Sequence, residues 1–351
     1  MKYSKIGSLL LAGFVLLTSC KKDLDQQPTA QFNEANAFLT VADIRAAANT
    51  GYSRLGGAVA DDMYANSLVS DEAKLGAGNA GQGALEYRYE YRSDNTTGSG
   101  VFASFGSYYS VIQIANIALP KIATVAGSGS DAAERDNLRA QFLTMRAFSY
   151  LGLLESFSKV YDPAALGVPL VTSYNPLERL PRNTMGEVMS QIQADLTEAK
   201  TLFPAASPAD YIDTTFNSIT VSAIQARTAL FRKDYDAAIT FSTEVINSGI
   251  KPLVSGSDYA GIWADVLTNP NEVLFKSRLR YGSALTTSGG TIYIAPSDKL
   301  RATYSPLDVR GDVFIGQNSN GDYYVKKFFP AAYMKPIRTA EMYLIRAEAN
   351  A

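Results

Sequence analysis

The hydropathy period constrains this chain more than any other feature. Between residues 41 and 249 apolar side chains return at three- and four-residue steps, segment after segment. That is the period of helices with one buried face. Residues 41–55 carry Ile44, Ala47, Ala48 and Leu55 on such a stripe, and Gly56-Gly57 is expected to end it. Residues 104–122 repeat the pattern with Val111, Ile114, Ala115, Ala118 and Ile122, and residues 133–157 with Leu138, Phe142, Met145, Phe148 and Leu151. Thr184-Met-Gly-Glu187 is a capping box: the threonine oxygen and the glutamate carboxylate satisfy backbone donors that a helix start leaves orphaned. Met185, Val188, Ile192, Leu196 and Ala199 continue from it. Residues 220–232 and 236–247 predict a further pair, with Gly249 at the left-handed position that closes a helix.

Asp234-Tyr-Asp-Ala-Ala-Ile239, with the small Ala226 upstream, resembles the turn of a tetratricopeptide helical pair. Small residues let two helices approach, and Tyr235 is expected to wedge the turn. The spacing between pairs is irregular, so a generic helical hairpin stands as the alternative to a repeat. From residue 251 to 329 the character changes to short β-like runs broken by Gly, Ser and Pro. Residues 272–275 and 291–294 are two such runs, and Asn320-Gly321 predicts a hairpin between residues 313–315 and 323–325. Residues 87–91 alternate Tyr87, Tyr89 and Tyr91 with Arg88 and Glu90, the two-residue period of a short strand. A last helix is expected to bury Ala340, Tyr343, Leu344 and Ala347 on one face. The chain ends at Ala351 in mid-pattern with no cap, which reads as a C-terminal truncation. The fold class is therefore mainly α, built of tetratricopeptide-like helical pairs with irregular loops and small β-hairpins.

The N-terminus reads as a targeting segment. Lys2 and Lys5 precede an apolar run too short to span a bilayer, and Leu17-Thr-Ser-Cys20 follows. Residues 1–19 are read as a lipoprotein signal peptide and Cys20 as the acylated residue. It is the only cysteine, so no disulfide competes for it. Residues 20–30 are polar, carry Pro28 and read as a tether; residues 31–351 read as one domain. Several acyl chains on Cys20 would hold the protein at a membrane surface.

Composition narrows the chemistry. With no histidine and one cysteine, serine–histidine and cysteine–histidine nucleophile systems are excluded, and most zinc sites with them. A net charge of −2 gives no reason to expect nucleic acid. Gly76-Ala-Gly-Asn-Ala-Gly81 matches a dinucleotide fingerprint but lacks its strand and helix, so residues 70–83 are read as a flexible loop and no cofactor is expected. Residues 318–322 faintly resemble a calcium loop without its bidentate glutamate and are read as a turn. Asp61-Asp62 and Asp71-Glu72 are the paired carboxylates a glycosidase would need, and adjacent acids are more often simply solvated. Twenty-one tyrosines against one tryptophan supply flat faces with polar tips, about half of them expected in helix–helix contacts.

Taken in order, several motifs carry a resemblance to a family. They are Cys20 with the following Lys-Lys-Asp-Leu-Asp-Gln-Gln-Pro28, Phe38 to Asp43 with Gly51-Tyr52, and Tyr108-Tyr109 with Ala115-Asn116. Arg139-Ala140, Arg146-Ala-Phe148, Arg232 to Asp236, Asn271-Glu272 and Arg338 to Glu348 continue the set. Together they resemble the SusD/RagB family of outer-membrane nutrient-capture lipoproteins. The resemblance implies anchoring on the outer leaflet of the outer membrane, exposed at the cell surface, and a SusC-like TonB-dependent transporter as partner. It implies a glycan or a peptide as ligand and no bond-making chemistry. It also implies a further helical segment after the position of Ala351, and in starch-binding members an aromatic cluster after the position of Asp71-Glu72. Residues 73–82 hold no aromatic ring, which speaks against starch. The ligand contacts are sought among Asp71, Glu72, Tyr87, Arg88, Tyr89, Tyr259 and Trp263, each of which could equally be core or plain surface. The alternatives are a tetratricopeptide-like assembly scaffold at the membrane and a lipid-anchored glycosidase.

Overall fold

The computed structural model describes residues 38–91, 100–125, 129–175, 177–263 and 272–351. The expected signal peptide and tether, Cys20 and Asn271 lie outside the described residues. From Thr40 to Ala351 the chain forms one unit.

The helical scaffold has the predicted class. Helices α1 (Val41–Leu68), α2 (Ala84–Tyr87), α3 (Gly100–Ile122), α4 (Ser130–Phe157), α5 (Met185–Leu202), α6 (Ser218–Phe231) and α7 (Tyr235–Asn247) precede the irregular region, and α11 (Thr339–Asn350) follows it. The long helices pack in succession: α1 on α3, α3 on α4, α4 on α5, α5 on α6, α6 on α7, and α11 back onto α7. Between α4 and α5, residues 159–175 and 177–183 run as a largely extended connection, in keeping with Asp162-Pro163 and Pro169. The capping box opens α5 as expected, with Glu187 N–H donating to Thr184 Oγ1 at 3.2 Å and Thr184 N–H to Glu187 Oε2 at 2.8 Å. Gly249 follows α7 at φ 62°.

Between α7 and α11 lie α8 (Tyr259–Ile262), α9 (Asp298–Thr303) and α10 (Val309–Phe314), with short strands. Strand β1 (Ala73–Leu75) pairs antiparallel with β4 (Ile294–Pro296) in the register Ala73↔Pro296 and Leu75↔Ile294. Strand β2 (Val273–Phe275) pairs with β8 (Ile337–Arg338), and β3 (Arg280–Tyr281) with β7 (Ala332–Tyr333). The predicted hairpin is β5 (Ile315–Gln317) with β6 (Tyr323–Val325). Asn318 Oδ1 closes its turn, accepting from the N–H groups of Asn320 and Asp322 at 2.9 Å each.

Two buried clusters hold the unit together. Tyr52, Phe148, Phe216 and Phe275 join α1, α4, the start of α6 and β2, with Phe216 stacked on Phe275 at 4.3 Å. The Phe216 N–H donates to Tyr52 Oη at 2.8 Å, which explains why Gly51-Tyr52 belongs to the motif set. The second cluster, with Leu68, Tyr281, Ile294, Phe328 and Met334, sits under the irregular region.

Four local expectations are corrected. Gly56-Gly57 does not end α1, which runs on to Leu68. Gly56 is a contact residue: a Cβ there would lie 2.8 Å from Leu279 Cβ, so the glycine admits the 277–279 segment against the helix. The alternating tyrosines form no strand; Tyr87 ends α2, Arg88 caps it and Tyr89 turns out at φ 58°. Gly83 at φ 65° starts that helical turn and Glu86 is its buried residue, a local preference that five alternating residues do not reveal. In α11 the buried face is Thr339, Met342 and Ile345, whereas Tyr343 and Leu344 are exposed. Tyr235 is exposed too; Lys233 at φ 61° and Asp234, which caps α7 and pairs with Arg232, fasten the α6–α7 turn in its place.

Candidate functional site

A pocket of about 240 Å³ opens over the second cluster. It exists because distant segments are drawn together there. The β1–β4 ladder places Glu72 beside Pro296, and Ser297 N–H donates to the Glu72 carbonyl at 2.9 Å. Ser297 then caps α9, accepting from Leu300 N–H at 3.0 Å, so that Leu300 and Tyr304 reach the rim. The glycine-rich stretch is no free loop. Gly76 and Gly78 N–H donate to the Tyr293 and Ile292 carbonyls at 2.8 and 2.9 Å. A Cβ on Gly76 would stand 2.3 Å from the Ile292 carbonyl oxygen, so only glycine permits this docking. The β5–β6 hairpin delivers Val325, Lys327 and Phe328.

The wall is aromatic and centred on Phe314. Trp263 meets it edge-on at 5.0 Å, Tyr259 lies at 6.0 Å and Tyr304 at 6.4 Å. Trp263 and Tyr281 both stand edge-on to Phe328, at 6.5 and 5.6 Å. These are ordinary aromatic pair geometries.

The polar groups are few. Tyr281 lines the pocket, is 8 % exposed, and its hydroxyl has no hydrogen-bond partner among the described residues; burial drives its pKa well up. Trp263 Nε1 is likewise buried without a partner. The Lys327 ammonium lies 4.7 Å from the Phe314 centroid, 5.1 Å from Phe328 and 5.2 Å from Trp263. Burial pulls its pKa down to about 8, partly offset by the Glu72 carboxylate. Lys335 and Arg338 also approach Trp263, at 5.5 and 5.3 Å. Lys335 donates to the Tyr333 carbonyl at 2.8 Å and is held near 8 by burial and by Lys276; Arg338 pairs with Glu272 at 2.6 Å. Such a site can stack a ring against its walls and meet hydroxyl or charged substituents with Tyr281, Lys327 and Glu72.

Of the residues singled out from sequence, Glu72 lines the pocket, while Tyr259 and Trp263 pack against Phe314 without lining it. Asp71 is engaged with Lys299 on α9. Tyr87, Arg88 and Tyr89 are exposed outside the pocket, with Tyr89 donating to the Val69 carbonyl at 2.6 Å. Tyr281, Tyr304, Phe314, Lys327 and Phe328 escaped the sequence reading. For the last four the available signal was the density of rings and cations in residues 301–329.

In two other hollows most of the polar groups are engaged with protein partners. The larger, about 440 Å³, is lined by Asn49, Asn137, Gln141, Asn217 and Arg278. Asn49 accepts from Arg278, Gln141 donates to Asn137 at 2.8 Å, and Asn217 caps α6. The smaller, about 200 Å³, holds Asp62, Glu155 and Arg227. The second acidic pair lies on α1, not on a loop: Asp61 and Asp62 accept from Ser107 and Ser156 at 2.7 and 2.6 Å and tie α1 to α3 and α4. Arg227 makes a bidentate pair with Glu341 at 2.6 and 2.7 Å. Among the described residues no group of three metal-ligating side chains gathers, and no helix is long and apolar enough to cross a membrane.

Comparison with known proteins places this architecture. A SusD-like family model, described as starch-binding and associating with the outer membrane, matches residues 24–230. The SusD-like protein P38 of Formosa agariphila is 22 % identical over 299 residues, covering 82 % of this chain and 53 % of the relative, so the chain spans about half that protein's length. A SusD superfamily crystal structure from Bacteroides thetaiotaomicron has a TM-score of 0.74 at 21 % identity, covering 89 % of this chain and 76 % of the other. A laminarin-binding SusD-like protein has a TM-score of 0.67 at 16 % identity, covering 86 % and 79 %. With the family model matching more than half its length and the helical scaffold shared, the chain belongs to the SusD-like family of glycan-binding proteins associated with the outer membrane.

Proposed function

We propose that the protein is a lipid-anchored surface receptor that binds a glycan in the Phe314-centred pocket and passes it, unaltered, to a SusC-like TonB-dependent transporter. The observation that carries this reading is the juxtaposition of the Trp263–Phe314–Phe328 wall with the unpartnered Tyr281 hydroxyl and Lys327. Sugars present apolar faces and hydroxyl edges, and this arrangement offers a counterpart to each. A laminarin-binding relative and a surface glycan-binding protein from Bacteroides fluxus share the fold, which supports the same class of ligand here. Among the described residues, Glu72 is the single carboxylate lining the pocket, where glycoside hydrolysis ordinarily needs two flanking the bond. Cys20 at the end of the N-terminal apolar run supports an acyl anchor, and the family's association with the outer membrane supports a transporter partner there.

Trp263 is the only tryptophan and packs edge-on against Phe314, so its fluorescence reports on the pocket wall. Titration with a panel of oligosaccharides is expected to perturb its emission for at least one of them. Phe314→Ala should weaken that binding about tenfold or more, equivalent to about 1.4 kcal/mol. A folded Phe314→Ala protein with wild-type affinity for the same sugar would place the binding surface elsewhere.

A further inference from the structure

We infer that the pocket selects an anionic glycan, seating a carboxylate or sulfate substituent on Lys327. This deepens the glycan-binding reading and rests on it. The neighbouring cations are already engaged: Arg338 with the Glu272 carboxylate at 2.6 Å, Lys335 with the Tyr333 carbonyl at 2.8 Å, and Lys276 with Asp213 at 3.5 Å. Lys327 lines the cavity and makes no ion pair or hydrogen bond among the described residues; aromatic faces are what surround its ammonium. Aromatic faces stabilise a cation only in part, and a half-buried ammonium without a counterion is held at a cost that an incoming anion removes. Among the described residues, the charges around Trp263 are Lys327, Lys335 and Arg338 against Glu272, with Glu72 on the exposed rim, so their field favours a negative guest.

Two neutral donors complete the arrangement. Tyr281 lines the same cavity, and its buried hydroxyl, without a partner among the described residues, is a donor that an anionic oxygen seated beside it would satisfy. Trp263 Nε1, also unpartnered, adds a donor dipole behind the wall. A volume of about 240 Å³ is slightly below the lower end of roughly 300 Å³ for small-molecule pockets, a fit for one sugar unit. A neutral sugar would use the walls and the tyrosine and leave Lys327 uncompensated. A uronate or sulfated residue uses all three.

The test pairs oligosaccharides that differ only in charge, at constant ionic strength. One arm compares oligogalacturonate with its methyl ester, and the other a sulfated galactan oligomer with its desulfated form. Binding is followed by Trp263 fluorescence and by calorimetry. In at least one arm the charged member should bind about tenfold tighter or more, and the arm that responds identifies the substituent. Lys327→Met, which keeps the stem and removes the charge, should abolish the preference, so that charged and neutral members bind the variant alike. If charged and neutral members bind alike, or if the preference survives in Lys327→Met, the anionic selection is wrong while glycan binding stands. If neither arm nor the wider oligosaccharide panel shows binding that Phe314→Ala weakens, the glycan reading falls, and this inference with it.

Discussion

Replacing Asp195 by alanine isolates a buried cation. Arg146 on α4 and Asp195 on α5 have side chains 9 % and 3 % exposed. The guanidinium donates to both carboxylate oxygens, at 2.8 and 2.7 Å, and to Asn116 Oδ1 at 2.8 Å; Gln191 donates to the same carboxylate at 2.8 Å. Without Asp195 the charge retains only the Asn116 amide oxygen. Stranding one member of a buried pair costs about 3–5 kcal/mol. For a unit of about 300 residues the unfolding entropy makes each kcal/mol worth roughly 1.5 °C, so the melting temperature should fall by roughly 5–8 °C. Circular dichroism at 222 nm during a thermal ramp reads it. The double variant Arg146→Met with Asp195→Leu removes both charges at similar volume and should recover most of the loss. If the double variant melts as low as Asp195→Ala, the penalty comes from packing and the stranded-charge reasoning fails. The same pair explains why Asn116 and Arg146-Ala-Phe148 occur together in the motif set.

Gly76→Ala should destabilise by about 1–3 kcal/mol in urea denaturation and weaken glycan binding, because the new methyl meets the Ile292 backbone and not a movable side chain. Gly57→Ala, with nothing within 4 Å of the added Cβ and a helical backbone, should instead stabilise by about 0.5–1 kcal/mol. Burial raises the Glu155 carboxyl from 4.5 to about 7, opposed by Arg227 and reinforced by Glu341 and Asp62. The folded protein thus holds a proton that the unfolded chain releases, and stability falls as pH rises between those values. Glu155 sits in a cleft that solvent enters, so the amplitude is about 1 kcal/mol, and Glu155→Gln should remove that slope in melts run from pH 4 to 8. Thr184→Ala should cost about 1 kcal/mol by removing the α5 cap, while Thr184→Ser retains it.

The scaffold was legible because its helices obey local rules. Apolar period, the Thr184–Glu187 box and Gly249 all act within a turn or two of themselves, so a window of residues contains the cause. Where the reading failed, the cause lay outside the window. Gly56 continues a helix because Leu279 packs on it, and α11 buries Met342 and Ile345 because α7 lies on that side. Residues 73–75 look like loop and become a strand because residues 294–296 supply a partner. The same limit governs the pocket. Glu72 and Lys327 stand at opposite ends of the sequence, and nothing near either one signals the other.

The tyrosines show how scaffold and site divide the work. On the scaffold, a buried hydroxyl is matched to backbone. Tyr52 Oη accepts from Phe216 N–H at 2.8 Å. Tyr150 donates to the Val171 carbonyl and accepts from its N–H, both at 2.7 Å, and Tyr211 donates to the Leu274 carbonyl at 2.7 Å. Each ties an irregular segment to a helix or strand, and each would leave an orphaned polar group if the segment moved. Tyr281 is buried as deeply as Tyr211, yet its hydroxyl has no hydrogen-bond partner among the described residues. An unmatched buried hydroxyl costs stability that phenylalanine would not, so Tyr281→Phe should leave the melting temperature unchanged or raise it while weakening the bound sugar. If it instead lowers stability and spares binding, Tyr281 belongs to the core, and the pocket loses the neutral donor on which its recognition of hydroxyl or anionic oxygens depends.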